Sequence, residues 1–182
     1  MSKSHSSLLV AALEKHRLVR ISRRFESSPI RGYVMAVGSQ FFLLALVSDR
    51  LWFDGFECFR ITDVLGVEAD PYESFAEAAL KKRGQRRPRK SKIDVKSVES
   101  ILLTASEAFP LVTIHMERKA PDVCYIGRVS DIKKGRVSLL EINPHAKWET
   151  EPNHFPLNKI TRVSFGGDYE GALHLVAGDA TG

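Results

Sequence analysis

The chain says nearly the same thing twice. Ser7 to Ile21 reads SLLVAALEKHRLVRI and Glu99 to Ile114 reads ESILLTASEAFPLVTI. Each stretch is an apolar-periodic helix that runs straight into a strand, and Leu18-Val19-x-Ile21 answers Leu111-Val112-x-Ile114. Further on, Phe59-Arg60-Ile61-Thr62-Asp63-Val64 parallels Leu157-Asn158-Lys159-Ile160-Thr161-Arg162-Val163, setting ITDV against ITRV, and Asp70-Pro71-Tyr72-Glu73 parallels Asp168-Tyr169-Glu170. Four anchors in one order constrain the fold more than any bulk property. They divide 182 residues into a first unit over 1–70, a connector over 71–92 and a second unit over 93–182. Units of 70 and 90 residues lie near the small end of what folds alone, so the two are expected to lean on each other.

Each unit reads as one helix followed by about five short strands, the pattern of a small barrel or sandwich. In the first, Ser6 or Ser7 caps a helix that runs through His16. Strands are predicted at Leu18–Arg23, Arg31–Val37, Phe41–Val47, Glu57–Ile61 and Leu65–Glu68, with tight turns at Gly38-Ser39 and Asp54-Gly55. In the second, Val98, Leu102, Ala105 and Phe109 mark one helix face and Pro110 ends the helix. Strands follow at Leu111–Met116, Cys124–Ser130, Arg136–Ile142, His154–Pro156 and Arg162–Phe165. In the connector, Asp70, Pro71 and Glu73 are the cap, first-turn proline and capping-box acid of a further helix, with Tyr72, Phe75, Ala76, Ala79 and Leu80 on one face and Gly84 as its stop. Asp168 and Glu170 are read as sharing that capping role.

A helix ahead of bent strands, a short apolar turn and a stub strand resemble the Sm-like family of small SH3-like barrels, with Ile61 and Val64, and Ile160 and Val163, at the places of the apolar turn. The resemblance is one of pattern and order and covers both units. It implies a mainly β, α+β fold built as a tandem pair of a helix plus a five-stranded open barrel. The family's RNA-binding members carry an Asp-Gly segment between the second and third strands. This chain has Gly38-Ser39-Gln40 and Lys133-Lys134-Gly135 there, so no uridine-binding residue is carried over.

Charge is concentrated rather than spread. Lys81 to Lys92, KKRGQRRPRKSK, holds eight of the 27 basic residues and no acid, leaving 19 basic against 22 acidic residues elsewhere. The sequence pI near 9.3 therefore describes one strap between two slightly acidic units. Lys81, Lys82, Arg83, Arg86, Arg87, Arg89, Lys90 and Lys92 could neutralise phosphates, with Lys133 and Lys134 as secondary contacts. Trp52, Phe53 and Trp148 are the candidate stacking rings. The competing reading makes the strap a solvated linker whose first cations suit a helix C-terminus, and the aromatics barrel-end packing.

Cys58 and Cys124 are too few for a disulfide framework, and the six histidines show no metal-ligand spacing. No Gly-rich phosphate loop and no GxSxG elbow occurs. No cofactor or metal is expected. The absence of a long apolar run or a leader pattern points to a cytoplasmic protein with no membrane partner. The leading expectation is a non-enzymatic protein that binds RNA or another nucleic acid. The second is a protein-interaction or scaffold module, self-associating or docked on an acidic protein, with the strap as tether; the third is an enzyme with a site between the barrels.

Overall fold

The computed structural model describes residues 4–88 and 92–180. The fold is α+β. Its strands are β1 (Leu18–Arg23), β2 (Ile30–Val37), β3 (Phe41–Val47), β4 (Phe53–Arg60), β5 (Val64–Ala69), β6 (Val112–His115), β7 (Cys124–Lys133), β8 (Arg136–Glu141), β9 (Asn153–Pro156) and β10 (Arg162–Phe165). Four helices accompany them: α1 (His5–Glu14), α2 (Glu73–Lys82), α3 (Val98–Ala108) and α4 (Asp168–Ala177). All ten strands join one antiparallel sheet in the order β5-β1-β2-β3-β4-β10-β6-β7-β8-β9, which does not close on itself.

The first five strands of that order and the last five follow the same path, and the likeness extends to single residues. Gly32 on β2 and Gly127 on β7 each lie so close to the facing strand that a Cβ would collide with the carbonyl of Ala45 or of Leu140. The β2–β3 ladder slips between Val34 and Ala36, and the corresponding β7–β8 ladder slips between Val129 and Asp131. Such bulges bend the strand that carries them and sharpen its twist. A three-residue 3-10 turn then precedes each short final strand, at Ile61–Asp63 and at Leu157–Lys159.

These turns correct one sequence anchor. Ile61 donates its N–H to Gln40 O at 2.9 Å and Leu157 donates to Gly135 O at 2.9 Å, while Val64 and Ile160 each bond back to the start of their own turn. Ile61 therefore corresponds to Leu157, and Val64 to Ile160. The match of ITDV to ITRV is out of register by three residues, because an apolar residue opens the turn and another follows it three positions later.

Apolar clusters show how the helices attach. Leu9 and Ala12 of α1 close over Ile21, Phe42 and Phe59, and Ala76 and Leu80 of α2 pack on Leu18, Tyr33 and Val47. Leu173 of α4 covers Leu111 and Ile142. The largest cluster draws Phe41, Leu43 and Cys58 from the first half together with Val98, Leu102, Ile114, Val163 and Phe165 from the second. Phe165 is fully buried, with the Phe56 ring 5.8 Å away and the Phe109 ring 5.1 Å away.

Several local expectations shift. Ser4, not Ser6 or Ser7, caps α1. Asp54-Gly55 lies inside β4; the reversal before it is made at Ser48–Trp52, where Ser48 N–H reaches Trp52 O at 2.9 Å. Gly55 adopts φ +71° where β4 passes against the backbone of Gly166 and Gly167, an approach that a side chain would block. Tyr72 and Phe75 are exposed, so the buried face of α2 is narrower than its pattern. Asp70 Oδ1 accepts Tyr72 N–H at 2.7 Å just ahead of α2, while Glu73 and Glu170 dock rather than cap: Glu73 accepts Leu18 N–H at 2.7 Å and pairs with Arg17 at 2.5 Å, and Glu170 accepts from Thr113 Oγ1 at 2.6 Å. The first turn of α4 is closed from the other half, where Asp54 Oδ1 accepts Asp168 N–H at 2.8 Å.

Candidate nucleic-acid interface

Two groups of charged residues stand out in this fold. One is consumed at the junction where β4 meets β10. Arg23, fully buried at its side chain, reaches across from β1 and forms a bidentate pair with Glu117, at 3.1 and 2.7 Å, and a third bond to Glu26 at 2.5 Å. Its guanidinium lies 4.2 Å over the Phe59 ring. Arg162 on β10 holds Glu57 on β4, and Arg118 holds the fully buried Asp63 at 2.7 Å. Each of these three pairs joins one half of the chain to the other. Buried charges survive only when paired, and here the pairing itself fastens the halves together.

The second population is the strap. Lys81 and Lys82 form the last turn of α2, where the helix dipole favours cations. Arg83 folds back, donating to Arg50 O with its guanidinium 5.5 Å from the Trp52 ring. Gln85 accepts Phe53 N–H at 3.2 Å, and Arg87 donates to His16 O at 2.9 Å while lying 4.8 Å over the Tyr33 ring. These contacts lay the backbone along the first half. Lys81, Lys82, Arg86 and Lys92 remain exposed, and among the described residues none of them has a carboxylate partner. Arg89 and Lys90 lie outside the described residues.

The other candidates are more occupied. Lys133 pairs with Asp131 at 2.6 Å, and Lys134 sits in the hairpin turn with φ +50°. Trp52 is 43% exposed and open for stacking beside Arg83. Phe53 packs against Tyr33 at 6.1 Å. Trp148 covers the Leu111–Leu173 cluster and donates Nε1–H to Gly178 O at 3.2 Å.

A cleft that the sequence did not announce lies in the second half. About 700 Å³ in volume, it is bordered by Arg118, Lys119, Arg136, Lys159 and His154, with the Tyr125 ring tilted against Phe155 at 4.5 Å, and no carboxylate lines it. Its cations, Arg118-Lys119, Arg136 and Lys159, come from three separate segments, so no run of basic residues betrays it. The tandem Arg118-Lys119 after β6 was the one local signal.

The pocket between the halves bears on the third expectation. Its polar walls include Glu57, Thr113, His115, Cys124, Arg162 and Glu170, around about 300 Å³. His115 and Cys124 are direct partners across β6 and β7. Burial, reinforced by Arg162 and Arg23, holds the imidazole pKa down to about 3, and burial pushes the Cys124 thiol up. A neutral imidazole beside a protonated thiol is the reverse of an activated nucleophile pair. Among the described residues, no three His, Cys, Asp or Glu groups converge as metal ligands.

The depressed His115 pKa has a stability consequence. The folded protein holds the ring neutral while the unfolded chain protonates it near 6.5, so this contribution is complete above that pH and drains away as the pH falls toward 3. Glu26 and Glu57, raised mainly by burial, act in the opposite sense, losing stability as the pH rises above 4.5. Comparison with His115→Asn isolates the histidine. Denaturant unfolding at pH 7.5, 6.0 and 5.0 is expected to show wild type losing up to about 1.4 kcal/mol per pH unit relative to the variant below pH 6. Parallel pH curves for the two proteins would refute the neutral assignment.

No protein-family model matches the chain, and no curated protein or solved structure matches it. Among the described residues, no helix is long and apolar enough to cross a membrane.

Proposed function

We propose that the protein is a non-enzymatic binding protein, two Sm-like barrels in tandem, that holds single-stranded nucleic acid, RNA foremost, by its phosphates along the basic strap. The observation that carries this reading is the division of the charges. Arg23, Arg118 and Arg162 are committed to carboxylates at the junction, whereas Lys81, Lys82, Arg86 and Lys92 stand exposed with no carboxylate partner among the described residues. Cations left in that state suit a polyanion. Trp52 beside Arg83 offers a stacking face, and the carboxylate-free cleft around Lys119 and Lys159 extends the cationic surface to the second half. The matched strand order, bulges and glycines of the two halves support the tandem-barrel description.

The test is binding of labelled single-stranded RNA, single-stranded DNA and duplex DNA across a salt series. Each phosphate neutralised on a single strand contributes a slope of about −0.7 in log K against log salt. Replacing Lys81, Lys82, Arg86 and Lys92 by Gln is expected to flatten that slope by up to roughly 3 and to weaken binding at low salt by at least tenfold. Lys119→Gln with Lys159→Gln is expected to have a smaller effect of the same sign. Unchanged binding by the strap variant, or no binding by wild type at low salt, removes the proposal.

A further inference from the structure

The internal junction shows which groups one half must present to receive the other. On β4, Arg60 N–H points to β10 and meets Thr161 O at 3.4 Å, and Arg162, Val163, Ser164 and Phe165 stand opposite Phe59, Cys58, Glu57 and Phe56. Antiparallel bonding alternates, so the outward positions of β4 are Arg60, Cys58 and Phe56. β9 holds the same place in the second half, and no strand among the described residues pairs with its outer side. Leu157 N–H points inward to Gly135 O, and Phe155 and Asn153 follow it inward by the same alternation, opposite Val137 and Leu139. The outward positions of β9 are then 156, 154 and 152, occupied by Pro156, His154 and Pro152.

Two of the three outward donors are therefore missing, because proline has no N–H. Arg136 Nη2 also donates to His154 O at 3.0 Å, so the carbonyl between the two prolines is engaged too. β5, the opposite edge, has no proline over Val64–Ala69. A second copy offering its β5 to β9, in the manner that β10 is offered to β4, would meet one N–H where the internal junction has three. Proline on an edge is a recognised means of stopping strand addition.

We infer that the β9 edge is closed to strand pairing, so that the chain makes its one complete junction internally and does not add further copies head to tail. The inference stands on the edge geometry and is independent of what the strap binds. Mass photometry and sedimentation of the full chain test it, with Pro152→Phe/Pro156→Arg restoring the β4 pattern and His154→Pro deleting the last outward donor. The expected result is a wild type with no β9-dependent assembly, unchanged in mass by His154→Pro, and a double variant that forms larger species with rising concentration. A wild-type oligomer that dissociates on His154→Pro overturns the inference. So does a folded double variant, verified by its circular dichroism and cooperative unfolding, whose mass stays that of wild type. Should the double variant not fold, the single change Pro152→Phe is read by the same two measurements.

Discussion

Arg23→Met is expected to destabilise the protein by about 3–5 kcal/mol, the range for removing one partner of a buried ion pair. Arg23 supplies three hydrogen bonds to Glu117 and Glu26 from a fully buried side chain. Methionine fills much of the space but leaves Glu117, only 4% exposed, without its countercharge. At about 2–4 °C per kcal/mol for a chain of this size, thermal unfolding should begin roughly 10 °C earlier. The double change Arg23→Met/Glu117→Met should recover a large part of the loss, since an apolar pair of similar volume avoids the uncompensated charge. If the double variant proved less stable than the single one, the penalty would lie in packing around Phe59 and not in charge.

Phe165→Ala should cost a comparable amount, about 3–5 kcal/mol, by a different route. The ring is completely buried among Phe56, Phe109 and the β6 residues, and its strand pairs with both β4 and β6. Truncation opens a cavity where the two halves meet. Calorimetry should show an earlier transition, with hydrogen exchange accelerated in β4 and β6 before β2 or β8. Uniform exchange across the sheet would mean that the halves do not open at this seam.

The two effects rest on residues of unequal legibility. The strand pattern gave most elements from alternation and turns alone, and β1, β3 and β10 fall where it placed them. Repeat logic also found the recurrence of strand order, because helix, bent strands and turn must recur when the same apolar faces are buried. The ITDV and ITRV words misled because a three-residue shift preserves the apolar spacing of a turn; only the backbone bonds of Ile61 and Leu157 fix the register. The closing helix at Asp168–Ala177 was glimpsed only through its first acids. The junction network was invisible: Arg23 and Glu117 are 94 residues apart, and Glu57 and Arg162 are 105 apart. Each looks in sequence like an ordinary polar residue near a strand. For the candidate interface the strap was plain, since it is contiguous, while the cleft of Arg118, Lys119, Arg136 and Lys159 exists only after β6 to β9 are folded.

The position of β10 sets an order of events during synthesis. It is the last of these ten strands to leave the ribosome, yet it lies in the middle of the sheet between β4 and β6. Until Arg162 to Phe165 have emerged, β4 presents an open edge beside an uncovered Phe56, and Glu57 waits for Arg162. The nascent chain therefore carries an unpaired strand edge through the translation of roughly a hundred residues, the condition under which newly made proteins pair wrongly with one another. Contacts of such long sequence separation also form slowly. The sheet is thus exposed at its inner edge until β10 arrives, and chaperone dependence should be concentrated in that interval.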